Sequence, residues 1–358
     1  MSQNTLVKRK KSLNLGQYSF VLIFAALFLI YFFVNFKGGH SQLKWTGVTN
    51  ILRHSAIVGL LSYGMAMIII TGDIDLSIGA ILGCVSSFGC VIANIMLNKG
   101  VPTFIGVLAT VVFCLVAGTL LGFLNGLLIG KVKLPAFIVT LATQLIFRSV
   151  AQYSSRILDP LLKGGSANTY RVSNGPIRDV MYKFGNGQIP QNFLKLPITG
   201  LIFLIVGILL IYVTTSTKYG KRLFAIGSNT KAAHMAGINV EWTRVSVFTI
   251  AGLLCGVGST LWICQQGGVD PATTGVNNEM FGIAATVLGG IAMSGGKGKL
   301  LGVIFGAMSY TLIDKIIAAL NVDSLINNSI KGLILLIAIV IQILGPQIKN
   351  VVAAKKAK

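Results

Sequence analysis

The sequence predicts an all-α polytopic membrane protein of about ten transmembrane helices, with both termini on the cytoplasmic side. Three observations lead there. First, 54% of the 358 residues are hydrophobic and 11% are charged, against roughly 25% charged in a soluble domain. Second, the mean hydropathy is +0.79, too apolar for a surface in contact with water. Third, the apolar residues come in long continuous runs rather than alternating, the pattern of helices and not of barrel strands. An ordinary soluble enzyme, a disordered chain and a disulfide scaffold are excluded on the same grounds.

About 20 apolar residues cross a bilayer core as a helix. Ten segments meet that measure more or less fully: 18–36, 55–71, 76–97, 104–130, 134–152, 197–215, 245–264, 280–293, 299–320 and 329–346. The first follows Lys8, Arg9, Lys10 and Lys11, and its length marks an uncleaved span rather than a signal-peptide core. The eighth is short and glycine-rich, which suits a half-helix or a re-entrant piece. The expected organisation is a basic N-terminus (1–17), one transmembrane domain (18–346) and a basic tail (347–358). Within that domain, 153–196 is an outer loop and 216–244 an inner one.

Charge tests the count. With the N-terminus inside, the cytoplasmic stretches hold Lys8 to Lys11, Lys131, Lys133, Lys218, Lys221, Arg222, Lys231, Arg244, Lys297, Lys299, Lys349, Lys355, Lys356 and Lys358. These are 17 of the 30 cations. Loops 265–279 and 321–328 hold none. The positive-inside rule therefore favours an even number of spans. It also explains most of the net charge of +21 without nucleic acid, for which there is no compact basic domain.

Glycine carries the next signal. Gly118, Gly122, Gly126 and Gly130 recur every fourth residue, as do Gly298, Gly302 and Gly306, and Gly252 with Gly256. That spacing lines one helix face and permits close backbone approach, either within the chain or at a seam between two copies. Polar groups inside spans are few. Asp73, Asp75 and Ser77 lie between the second and third spans, where a carboxylate can cap a helix or hold a cation. Asn125 and Gln144 can bond a neighbouring helix or line a path. Arg148, Asp314 and Lys315 lie near span ends, where snorkelling accounts for them.

No residue set supports catalysis. Gly295-Gly296-Lys297-Gly298 has Ile291 where a phosphate loop needs Gly, and Gly298 where it needs Ser or Thr. His40, His54 and His234 have no metal-ligand spacing, and the five cysteines form no C-x-x-C pair. The inner loop is more informative. Asn229 or Thr230 can cap a short helix that Gly237 ends, giving a peg on the cytoplasmic face.

Four passages then match a known pattern: Gly72 to Ala80, Lys133 to Thr143, Gly220 to Val240 and Val287 to Gly302. In order and spacing, over about residues 50–345, the chain resembles the permease subunits of bacterial ABC importers for monosaccharides of the ribose, xylose and galactose group. The resemblance implies import by alternating access in the cytoplasmic (inner) membrane, within lipid. It implies a second permease copy, a cytoplasmic ATPase with two nucleotide-binding domains that holds the ATP and magnesium, and an extracytoplasmic sugar-binding protein. It assigns coupling to Gly220, Arg222, Gly227, Asn229, Ala232, Ala233, Gly237 and Ile238. The family usually has an acid two residues after the position of Glu279; this chain has Phe281. The outer loop carries six cations against Asp159 and Asp179, so Arg171, Arg178 and Lys183 are expected to meet an acidic rim on the binding protein. An ABC permease for another small polar solute, such as a nucleoside, is the alternative, and a proton-coupled secondary transporter a further one.

Overall fold

The structure is a computed structural model that describes residues 19–37, 45–158, 169–189 and 195–320, with 326, 329–333, 336–337 and 340. The N-terminus (1–17), the tail (347–358) and most of the expected tenth span (329–346) lie outside the described residues, as does part of 153–196.

The long helices are α1 (Ser19–Lys37), α2 (Trp45–Ile70), α3 (Ile78–Asn98), α4 (Thr103–Gly130), α5 (Ala136–Leu158), α7 (Ile198–Ser216), α10 (Val240–Gln266) and α12 (Leu301–Ala319). Shorter ones are α6 (Pro176–Asn186), α8 (Lys218–Ser228), α9 (Thr230–Met235) and α11 (Asn278–Leu288). Among the described residues, six helices (α2, α3, α4, α7, α10 and α12) are long and apolar enough to cross a membrane. Two short antiparallel ribbons complete the fold. β1 (Tyr170–Arg171) pairs with β4 (Gly268–Val269), and β2 (Gln188–Ile189) with β3 (Leu196–Pro197).

The centre is built by α2, α3, α4 and α10. Along α4, buried positions recur every four residues, at Gly106, Thr110, Cys114, Gly118, Gly122 and Gly126. The opposite face shows Leu108, Val112, Val116, Leu120 and Leu124 to the surroundings, as a lipid-facing helix does. The glycine face meets α10 backbone to backbone. A methyl group added at Gly118 would lie 2.5 Å from the Gly252 carbonyl oxygen, and one at Gly126 2.7 Å from that of Val245. Gly302 and Gly306 of α12 press in the same way on the Gly289 and Ala285 carbonyls. Gly298 lies outside the helix, at φ +130°, against Ile291. These faces are filled within one chain, so none of them is free to be the seam between two copies. Without water as a driving force, close van der Waals contact of this kind is what holds membrane helices together.

The expected span 280–293 takes another form. α11 stops at Leu288 and the chain turns through Gly289 and Gly290. An 11-residue helix is about 16 Å long, roughly half a bilayer core.

A candidate translocation and coupling site

Two helices begin inside the bundle rather than at its ends. Cys255 Sγ lies 3.7 Å from the Ile78 carbonyl, and Ser259 Oγ donates to that of Leu82 at 3.1 Å. The first turn of α3 therefore sits beside Cys255, about 22 Å along α10 from Val240 at 1.5 Å per residue. The stretch 71–77 that leads to it runs into the bundle from the end that carries Lys131, Lys133 and Arg244, here called the basic end. From the opposite end, 267–277 runs inward to α11. The two meet at glycine: the Cα of Gly79 faces the Gly275 carbonyl and the Cα of Gly275 that of Gly79, with no room for a methyl group on either. Gly275 also holds φ +76°, which favours glycine.

The acids expected at a boundary lie deeper. Asp75 is 1% exposed. Its Oδ1 accepts from the Ser77 backbone N–H at 2.7 Å and from Ser77 Oγ at 2.6 Å. It does not cap α3: Ser77 holds the cap position, and no side-chain cap bond forms. Asn125 Nδ2 donates to Ser77 Oγ at 2.8 Å, while its Oδ1 is buried with no partner among the described residues. Asp73, nearer the basic end, makes a 3.0 Å ion pair with Arg244 of α10.

Across the Gly79–Gly275 contact stands Glu279, in the first turn of α11 and 6% exposed. Gln144 Nε2 donates to its Oε1 at 3.3 Å. Arg148 does not snorkel. Its Nη1 donates to the Thr274 carbonyl and, at 3.3 Å, to that of Pro271, within electrostatic reach of Glu279. Arg148 offsets Glu279, while Asp75 has, among the described residues, only the Ser77 donors and the start of α3, where a helix N-terminus is worth roughly half a positive charge. Asp314, another residue assigned to snorkelling, instead pairs with Lys331 at 2.6 Å. Lys331 Nζ also lies 5.2 Å from the ring of Phe281, which packs on Tyr310.

Sequence reasoning brought Asp73, Asp75, Ser77, Asn125 and Gln144 forward but gave no role to Glu279 or to 267–277. A signal was present. Asp270-Pro271 interrupts the apolar pattern directly after a span, and Gly275 precedes the acid by one helical turn.

At the basic end, α8 and α9 form a small unit. Thr217 caps α8, accepting from the Gly220 N–H at 3.4 Å; Asn229 caps α9, accepting from Ala232 N–H at 3.0 Å. Gly237, at φ +79°, closes α9 with its N–H on the His234 carbonyl, and Ile238 N–H follows on that of Ala233, a glycine-ended helix terminus. Ile226, Ala233 and Val240 form its apolar core. The residues expected to couple split into two sets. Gly220, Gly227, Ala233 and Ile238 pack inward, whereas Arg222, Asn229, Ala232 and Gly237 are exposed. Met235 projects, 87% exposed. Gly227 packs on the Ile70 carbonyl, which also accepts from the Gly296 N–H at 2.9 Å. The unit thus touches both the start of 71–77 and the turn after α11. Beside it, Glu241 bridges Lys131 and Lys133 at 3.0 Å each. Those two ammonium groups, Lys133 first, hold the exposed Glu241 carboxyl below its usual range.

At the opposite end, Asn94 of α3 clasps β1, donating to the Arg171 carbonyl and accepting from the Ser173 N–H, both at 2.8 Å. α6 buries Ile177, Met181 and Gly185 on the bundle and exposes Lys183. Arg171 and Arg178 share one cavity of about 420 Å³ with Trp262, Gln266 and Asp270; Lys183 stands outside it.

Membrane-length helices and two helix starts half-way through the bundle define a polytopic membrane protein with interrupted helices. The chain belongs to the family described as branched-chain amino acid transport system / permease component, whose model matches residues 47–342. It is 33% identical to the ribose import permease protein of Bacillus subtilis over 319 residues, 89% of this chain and 91% of that one. It is 29% identical to the xylose transport system permease protein of Haemophilus influenzae, covering 92% and 96%. The ribose import permease protein of the same organism is 30% identical, covering 82% and 83%.

Proposed function

We propose that this protein is the permease subunit of an ATP-driven importer of a monosaccharide, of the pentose class that its relatives' names point to. In this reading the basic end is cytoplasmic, as the positive-inside rule requires, and the membrane is the cytoplasmic one. Two copies form the pathway. A binding protein delivers sugar to the surface around α6, β1 and β4, where Arg171, Arg178 and Lys183 meet acidic groups. An ATPase grips the exposed side of α8 and α9, around Arg222, Ala232 and Met235.

The observation that carries the reading is the pair of half-way helix starts, one joined to the α8–α9 unit and the other to the opposite surface. Broken helices meeting near the middle suit alternating access around a fixed site. ATP hydrolysis in the partner would shift α8–α9, and Ile70 and Arg244 would pass that shift to 71–77. A proton-coupled mechanism finds less support. Arg148 stands near Glu279, and Asp75 and Glu279 each lie at a helix start, so among the described residues neither is an isolated acid.

The test is reconstitution with the ATPase and binding protein of the same system. The expected result is sugar-stimulated ATP hydrolysis and uptake, both lost in Gly237→Pro with normal membrane abundance. Uptake that persists without ATP and collapses with a protonophore would overturn the reading in favour of a secondary transporter. Uptake of nucleosides but no sugar would replace the substrate class.

A further inference from the structure

We infer that the cavity between β1, α6 and the end of α10 is a weak monosaccharide-binding site of the permease itself. This rests on the sugar-import reading above. The cavity of about 420 Å³ lies in the range of small-molecule sites. Its lining has the mixed chemistry that a polyol ring needs. Trp262 offers a flat apolar surface, and its indole N–H is buried with no partner among the described residues; buried indole N–H groups ordinarily find one. Arg171 and Arg178 present planar donors, Gln266 both a donor and an acceptor, and Asp270 an acceptor.

Asp270 is held in place. Its Oδ1 accepts from the Ala272 N–H and its Oδ2 from Thr273 Oγ, both at 2.8 Å. Each oxygen keeps a second lone pair for a ligand hydroxyl. A carboxylate beside two guanidiniums also argues against a socket built solely for an acidic side chain, which it would repel. Position supports the same conclusion. Thr274 lines the cavity, and its carbonyl is held by Arg148, the neighbour of Glu279. Sugar released here lies at the head of the 267–277 stretch that leads to the centre.

The experiment uses the full chain in lipid nanodiscs, without binding protein or ATPase. Trp45→Phe and Trp242→Phe leave Trp262 as the reporter. The probes are D-ribose, D-xylose, D-galactose and a glutamate-rich peptide. Expected is a saturable fluorescence change with at least one sugar, half-complete at about 1–10 mM, whether or not the peptide also elicits one. Arg178→Gln and, separately, Gln266→Ala should raise the half-saturating concentration about tenfold, a 1.4 kcal/mol loss. No response up to about 100 mM sugar, equivalent to a standard free energy of little over 1 kcal/mol, would overturn the site. A response to the peptide alone would also overturn it and mark a socket for the binding protein. Either result beside intact ATP-driven uptake removes the site and leaves the importer standing; absence of ATP-driven uptake for every sugar removes the importer reading instead.

Discussion

The two interrupted passages through this bundle are built alike and connected differently. Stretch 71–77 enters from the basic end and gives way to α3; stretch 267–277 enters from the other end and gives way to α11. Each brings a carboxylate, Asp75 or Glu279, to a helix start, and they touch through Gly79 and Gly275. The first is tied by Asp73 to Arg244, and by Ile70 to Gly227 and Gly296, hence to the unit that would meet an ATPase. The second is tied by the β1–β4 ladder and Arg148 to the surface that would meet a binding protein. Under the proposed function, similar breaks would receive separate inputs, and their contact is where those inputs would combine.

That contact is the place to break the pair outright. Gly275→Val combines a left-handed φ with a side chain driven into the Gly79 carbonyl. The expected cost exceeds about 3 kcal/mol. Thermal unfolding in detergent checks it, and a variant as stable as the parent would dissolve the proposed joint.

A narrower cut separates the inputs. Asp73→Asn removes the ion pair on the basic side alone. Leaving Arg244 half-buried without its partner should lower coupled uptake about tenfold, or 1.4 kcal/mol, with membrane abundance unchanged. The exchanged pair Asp73→Arg with Arg244→Asp should restore part of the loss. Restoration of nothing would point to Asp73 acting in some way other than through Arg244.

On the other side, Arg148→Gln frees the Thr274 and Pro271 carbonyls and removes the positive charge near Glu279. About 1–3 kcal/mol of stability should be lost. Glu279→Gln added to it should cost little more, because the acid no longer stands against a lost cation. Strictly additive losses would show that the two do not interact.

The smallest effect is expected outside both breaks, at the exposed Glu241 bridge. Glu241→Gln should leave the melting temperature within error at neutral pH, since surface pairs contribute little. The sign of its pH dependence is fixed. A carboxyl held below its usual range stabilises above the unfolded value, and that contribution disappears as pH falls through the depressed one. A difference between variant and parent should therefore vanish in strong acid and never grow there.

Much of the fold was legible because its signals are local. The apolar runs mark α3, α4, α7 and α10 with modest shifts at their ends, whereas α2 begins ten residues before the expected 55–71. Asn229 and Gly237 announce α9, because caps and left-handed ends act over three or four residues. The four-residue glycine spacing identifies a packing face on α4. Asp75 was misjudged because depth was read from position between apolar runs, whereas Arg148, placed near a span end, turns inward to the Thr274 and Pro271 carbonyls. A chain that enters the bundle in extended form covers about twice the distance per residue of a helix, so acids beside a span can lie at its middle.

The sequence by itself determined a multi-span permease with cations gathered in a few connecting stretches, a short capped helix ended by Gly237 and glycine faces ready for close contact. Composition, period and capping chemistry are properties of adjacent residues, and they suffice for that. The tertiary structure decided which faces meet: α4 with α10, and α12 with α11. It also placed Asp75 near Glu279, turned Arg148 inward and gathered Arg171, Arg178 and Trp262 around one cavity. Those pairings join residues far apart along the chain, and they follow from which backbones can approach and how buried charges balance in three dimensions.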